Sequence, residues 1–166
     1  MPQQRHEPEA GAILTLRMWS YPDARKAVPY FRSLAQSLRD GWLDLRNIQE
    51  HQKKLEAREG KPDRDTLIDL DNTGKDLAQA EGRLQEIIEE MMGLSAYCID
   101  PNAGLVVIPF LRGHELAWFV FDLFDDAGIC GWRLYTDPLE TRRPLADLET
   151  EAAPAALPAP QPPMLN

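Results

Sequence analysis

The chain has 166 residues, is 43% hydrophobic and 27% charged, and carries a formal net charge of -9. That length favours one domain with tails, and the composition is that of an ordinary globular protein. The negative charge argues against broad binding to nucleic acid or to an anionic membrane, and no stretch approaches the roughly 20 apolar residues of a membrane helix. Residues 93–149 hold 9 acids against 4 bases. Such a surface either suits a basic partner or simply keeps the chain soluble.

Residues 1–11 are polar and read as a disordered tail, with Glu7 and Glu9 where a signal peptide would be basic. Residues 12–19 alternate, with Leu14, Leu16 and Met18 on one face and Thr15 and Arg17 on the other. This is the period of a strand. Ser20 with Asp23 three residues on resembles a helix-starting capping box. Pro29 then forces a break, because it cannot donate inside a helix. The expectation is a short helix over 21–28 and a restart with Pro29 in the next first turn.

Val28, Phe31, Ala35, Leu38, Trp42 and Leu45 follow at alternating steps of three and four, the seam of a coiled-coil-like helix. The seam frays at Gln49 and Gln52, while Ile48 and Leu55 continue an apolar edge. Gly60 and Pro62 end this helix and begin another. In the second, Leu67, Leu70, Leu77, Leu84, Ile88 and Met91 form the expected seam, interrupted at Gly74 and Glu81. Asn72-Thr73-Gly74 is a candidate break, and Gly93 the stop. A helix of about 30 residues is roughly 45 Å long, so this hairpin would project beyond a small sheet.

After Gly93 the period changes. Residues 95–100, 105–110, 115–124 and 129–135 read as strands, separated by turns at Pro101–Gly104, Arg112–His114 and Asp125–Gly128. Pro109 marks an edge or a bulge. In the third of these strands Trp118 and Phe124 fall on one face and Phe119 and Phe121 on the other, so both faces are apolar. One face packs on the hairpin; the other needs residues 139–149 or a partner to cover it. From Ala146 the chain turns to alanine and proline, with Pro154, Pro158, Pro160, Pro162 and Pro163, and reads as a disordered tail over 150–166. The fold expected is α+β: a long antiparallel helical hairpin (about 20–92) on a small antiparallel β-meander of three or four strands (about 94–136) with a C-terminal segment (137–149), in the order β-α-α-β-β-β at three strands.

Several local motifs resemble a bacterial family catalogued as domain of unknown function 2203. The family opens with an aromatic–Thr–x–x–Glu–Ala run and a Leu-Pro, which Trp19-Ser20-Tyr21-Pro22-Asp23-Ala24 and Val28-Pro29 resemble here. Its Gly-Leu-Val-Asp-Phe-Pro strand resembles Gly104-Leu105-Val106-Val107-Ile108-Pro109. Its closing Trp-His-x-x-Asp-x-Gly-Phe-x-Gly-Arg-x-Pro-Leu segment resembles residues 132–145, where Trp132, Arg142, Pro144 and Leu145 match. Arg133 stands at the family's His, Thr136 at its Asp, and Pro138 and Thr141 at its glycines. Whatever chemistry that His and Asp carry in the family, this chain has lost both. The resemblance spans roughly residues 14–145 and implies no established activity.

No nucleophile–base set, phosphate loop or metal cluster is evident, and neither a metal nor another cofactor is expected. Asp122, Asp125 and Asp126 are acidic turn residues without EF-hand spacing. His114 lies in a turn, His51 among helix charges and His6 in the tail. Cys98 and Cys130 lack metal-ligand spacing and read as small buried thiols, able to pair only if their strands are neighbours; a cytoplasmic setting follows. Two functional readings stand. The first is a non-enzymatic interaction or scaffold module acting through the hairpin, as a homodimer or with an unknown protein partner. The second is a small anionic-ligand binder or enzyme at the hairpin–sheet junction, with Arg142, Arg133, Trp132 and Tyr135 lining the site. Arg142 leads that set because a guanidinium grips carboxylate or phosphate with two donors; its competing role is to tie the C-terminal segment to the sheet.

Overall fold

The computed structural model describes residues 15–151. The expected tail over 1–11, and residues 152–166, lie outside them. Helix α1 (Tyr21–Lys26) starts at Ser20, whose hydroxyl accepts the Asp23 N–H at 3.2 Å. Ala27 separates it from α2 (Val28–Glu56), with Pro29 in the first turn, where its missing donor costs nothing. After the 57–63 loop, the Asp63 carboxylate accepts the Thr66 N–H at 2.8 Å and starts α3 (Arg64–Gly93). The helix runs through Asn72-Thr73-Gly74 without the expected break.

The seam of α3 keeps Leu70, Leu77, Leu84, Ile88 and Met91 and departs from the expected pattern at Leu67. Thr66, Thr73, Ala80, Leu84 and Met91 are buried, with Leu70 and Leu77 half-buried between them, while Leu67 is 54% exposed. The steps of three and four therefore run unbroken along Thr66, Leu70, Thr73, Leu77, Ala80 and Leu84. Gly74 and Glu81 are no interruptions, because the face turned to α2 passes through the smaller residues before them. Thr66 is buried with its hydroxyl satisfied, accepting from the Arg58 guanidinium at 3.2 Å.

The sheet is a four-stranded antiparallel meander in the order β1 (Tyr97–Asp100), β2 (Leu105–Arg112), β3 (Glu115–Asp122), β4 (Ile129–Leu134). Of the strand expected over 12–19, residues 12–14 lie outside the described residues and 15–19 are irregular. Only Trp19 reaches the sheet, donating its N–H to the Pro109 carbonyl at 2.9 Å, while the Arg17 N–H goes to the Ser95 hydroxyl at 2.8 Å. That contact also explains how a proline sits inside β2. The β1–β2 pairing ends at Tyr97–Val107, so the flank of Pro109 beyond it has no strand neighbour.

Pairing places Val106 opposite Phe121, Ile108 opposite Phe119, and Phe119 opposite Trp132, so these share the face turned to the helices. Phe110 stacks on Phe119 at 4.0 Å, and Phe31 of α2 meets Phe121 at 6.3 Å and Trp19 at 5.3 Å. Ala24, Leu34, Ala35 and Leu38 complete this core. A last helix, α4 (Ala146–Glu151), occupies a stretch whose composition reads as the start of a tail. Its Leu148, with Leu145 before it, packs on the core, which is why the segment is ordered.

Candidate functional site

Arginines on α2 lock the hairpin to one end of the sheet. Arg32 donates to the carbonyls of Leu123 (2.7 Å), Asp125 (3.0 Å) and Asp126 (3.2 Å), which closes the β3–β4 turn against the helix. Arg39, two turns on, donates to the Asn102 carbonyl at 2.9 Å and lies over the Phe124 ring. Both were hidden in the sequence among helix charges of a solvated face. Their spacing of seven on the apolar side was the available signal.

The sequence-singled segment after β4 is built around Asp137. The Arg143 guanidinium grips its carboxylate with two donors, at 2.8 and 2.9 Å, and the Leu134 N–H donates to it at 2.9 Å. The arginine first, and that N–H second, hold the Asp137 carboxyl below the usual carboxylate range. The turn brings residues 142–144 back along β4. Trp132 and Arg143 exchange both backbone hydrogen bonds, at 3.1 and 2.7 Å, and the Trp132 indole donates to the Pro144 carbonyl at 3.0 Å. Gly131 makes the return possible: a Cβ there would lie 2.9 Å from the Arg143 carbonyl oxygen. Arg112 and Arg143 both set guanidinium groups against the Trp132 ring, at 4.7 and 5.2 Å.

The four residues of the anion-site reading take separate places. Trp132 is 1% exposed on the helix-facing side, while its neighbour Arg133 belongs to the opposite face of β4. Arg133 is 6% exposed, donates to the Asp137 carbonyl at 3.1 Å, and leaves its buried Nε without a partner. Arg142 is exposed and pairs with Asp122 at 3.2 Å, the tie to the sheet that was its competing role. Tyr135 is 61% exposed.

The remaining candidates are engaged locally. Asp122 accepts the Phe124 N–H and Asp125 the Ala127 N–H, both at 2.9 Å, so these carboxylates shape the turn. His114 and His51 are exposed, and His6 lies outside the described residues. Among the described residues no group of three or more His, Cys, Asp or Glu is placed to hold a metal. Cys98 and Cys130 are free thiols on β1 and β4, at opposite ends of the strand order. Burial pushes the Cys98 thiol up to about 11 and also raises that of Cys130, where Arg142 pulls against it.

At the hairpin–sheet junction there is a cavity of about 220 Å³, lined by Leu38 and Trp42 of α2, Ile88 and Met92 of α3, and Cys98 of β1, with further apolar neighbours. Trp132, Arg133, Tyr135 and Arg142 are not in its wall. No helix among the described residues is long and apolar enough to cross a membrane. A family model described as uncharacterized conserved protein (DUF2203) matches residues 17–145, and the chain belongs to that family. No curated protein and no solved structure matches the chain.

Proposed function

We propose that this DUF2203 protein is a non-enzymatic interaction or scaffold module of the bacterial cytoplasm, acting through its helical hairpin, with a second copy of the chain as the first partner. The observation that carries the reading is the exposure of Leu67 and Ile68, 54% and 47%, side by side near the tip of the hairpin. Their stretch of the arm has a thin interior. Leu45, Leu55, Thr66 and Thr73 are buried there, two of them threonines. Two helices bury little apolar surface at such a seam, and a second hairpin against the same stretch completes a four-helix bundle. The free thiols Cys98 and Cys130 agree with a reducing compartment. The anionic-ligand reading has less support, because Trp132 and Arg133 belong to opposite faces of β4 and the junction cavity is apolar.

Sedimentation and light scattering across the micromolar range test the reading, with Leu67→Asp plus Ile68→Asp as the control. The expected result is a concentration-dependent dimer for the wild type and, for the double variant, a folded monomer whose melting temperature no longer depends on concentration. A wild-type monomer throughout, whose affinity capture from cytosol brings down nothing that the double variant does not, overturns it.

A further inference from the structure

The two edges of the sheet are finished differently. The β4 edge is closed by the returning strand at Arg143, whereas β1 pairs with β2 on one side and, among the described residues, with no strand on the other. The junction cavity lies at this second edge. Tyr97 and Cys98 of β1, with Ala96 and Pro101 flanking them, make one wall, and Trp42, Ile88 and Met92 belong to the others. Met92 is 47% exposed although it lines the cavity, so the cavity is open beside it.

A backbone laid along β1 would send every second side chain to the helix side of the sheet, toward this cavity. A dry cavity of about 150 Å³ already holds benzene, so about 220 Å³ admits one aliphatic or aromatic side chain. The α3 and β1 sides are acidic. Helical spacing sets Glu81, Gln85 and Glu89 beside Ile88 and Met92 on α3, all exposed, and Asp100 ends β1 exposed. The same spacing sets Arg39 and Arg46 beside Trp42 on the α2 side. No lysine or arginine stands on β1, where edge strands often carry one against unwanted pairing.

We propose that the free edge of β1 and the cavity beside it form a strand-addition site for an extended segment of a partner protein, one bearing an apolar anchor residue with lysine or arginine close to it. The anchor fills the space between Trp42, Ile88 and Met92, and the basic residues meet Glu81, Glu89 and Asp100. The bulge between Cys98 and Asp100 leaves only a short ladder. Most of the affinity therefore comes from the anchor and the charges, which sets it in the micromolar range. This surface is separate from the hairpin tip, and the inference does not rest on the proposed dimer.

The test uses short random peptides displayed on phage, selected on the full chain and counter-selected on Met92→Asp. That substitution puts a carboxylate at the cavity mouth, at a position exposed enough to leave folding intact. The expected peptides share one apolar position with a lysine or arginine near it. As synthetic peptides they slow amide exchange at Tyr97–Asp100, weaken with added salt, and bind Met92→Asp about tenfold less well. Replacing the anchor by alanine, or methylating the backbone nitrogens beside it, abolishes binding. Failure to enrich any peptide over Met92→Asp overturns the proposal, as do enriched peptides that leave the 97–100 amides unprotected. Protection of those amides that depends on concentration without any peptide assigns the edge to a second copy, and overturns it equally.

Discussion

Gly131→Ala isolates the return of the chain along β4. In an exposed strand this change ordinarily stabilises by about 0.5–1 kcal/mol, because the unfolded chain loses conformational freedom. Here the added Cβ would stand 2.9 Å from the Arg143 carbonyl oxygen and 3.4 Å from the Arg142 Cβ. The backbone of the returning segment must move, and it is held by the Trp132 N–H to Arg143 carbonyl bond at 3.1 Å and its reciprocal at 2.7 Å. At about 1 kcal/mol each, losing both costs about 2 kcal/mol. Against the chain-entropy gain, the net destabilisation is about 1–2 kcal/mol, a fall of about 3–6 °C in melting temperature. Calorimetry gives the shift, and amide exchange at Trp132 and Arg143 localises it. Because the two effects have opposite sign, a variant that melts at or above the wild type refutes the close-approach argument.

Arg142→Ala and Arg143→Ala should separate clearly. Arg142 makes one half-exposed pair with Asp122 at 3.2 Å, and its loss costs no more than about 1 kcal/mol. Arg143 is bidentate to Asp137, lies against Trp132 and carries the returning strand, so Arg143→Ala should melt lower at pH 7. The gap between Arg143→Ala and the wild type is also pH-dependent. The Asp137 carboxyl is lowered in the fold, so its contribution is fully present above the unfolded carboxylate value and is lost as pH falls below about 4. Melts from pH 3 to pH 7 check this, and a gap constant to the acid limit refutes it. Cys98, pushed up to about 11, should alkylate about two orders of magnitude more slowly at pH 8 in the native protein than after unfolding. Peptide mapping over time gives the rate, and labelling within threefold of the unfolded rate contradicts the assigned burial.

Patterns of period and punctuation were legible; the choice between equivalent apolar faces was not. Ser20 and Pro29 placed the helix starts, and the turns ending at Gly104 and Gly128 placed the meander, because these residues act on their own local backbone. In the α3 seam Leu67 was taken for Thr66, and Thr73 and Ala80 were passed over, because leucines outweigh threonine and alanine in any apolar count. A helix pair needs small residues where the helices approach, and here Thr66, Thr73 and Ala80 fill that place. Residues 15–19 alternate like a strand, yet the length of β1 leaves them only one sheet bond, at Trp19. The Arg32, Arg39 and Asp137 ties join residues across a turn or between helix and sheet, and only the spacing of the two arginines hinted at any of them. Asp137 was passed over because the family motif sets its Asp one position earlier, at Thr136.

The terminal motif then has a structural account that covers its four matching residues, Trp132, Arg142, Pro144 and Leu145. Trp132 is buried within β4, Pro144 supplies the carbonyl its indole needs, and Leu145 packs on the core. Arg142 and Arg143 reach opposite partners, Asp122 and Asp137, so the returning strand is held from both sides of its backbone. Arg133 is the exception. Its guanidinium is buried with one carbonyl for Nη1 and nothing for Nε, an arrangement that costs stability. The motif thus seals one edge of the sheet through Trp132, Asp137, Arg142, Arg143 and Leu145. The opposite edge, at β1, has no such closure among the described residues and carries the apolar cavity instead. An edge strand beside an open apolar cavity is a template for pairing, so the proposed partners are better sought at β1 and along the hairpin than in the motif that marks the family.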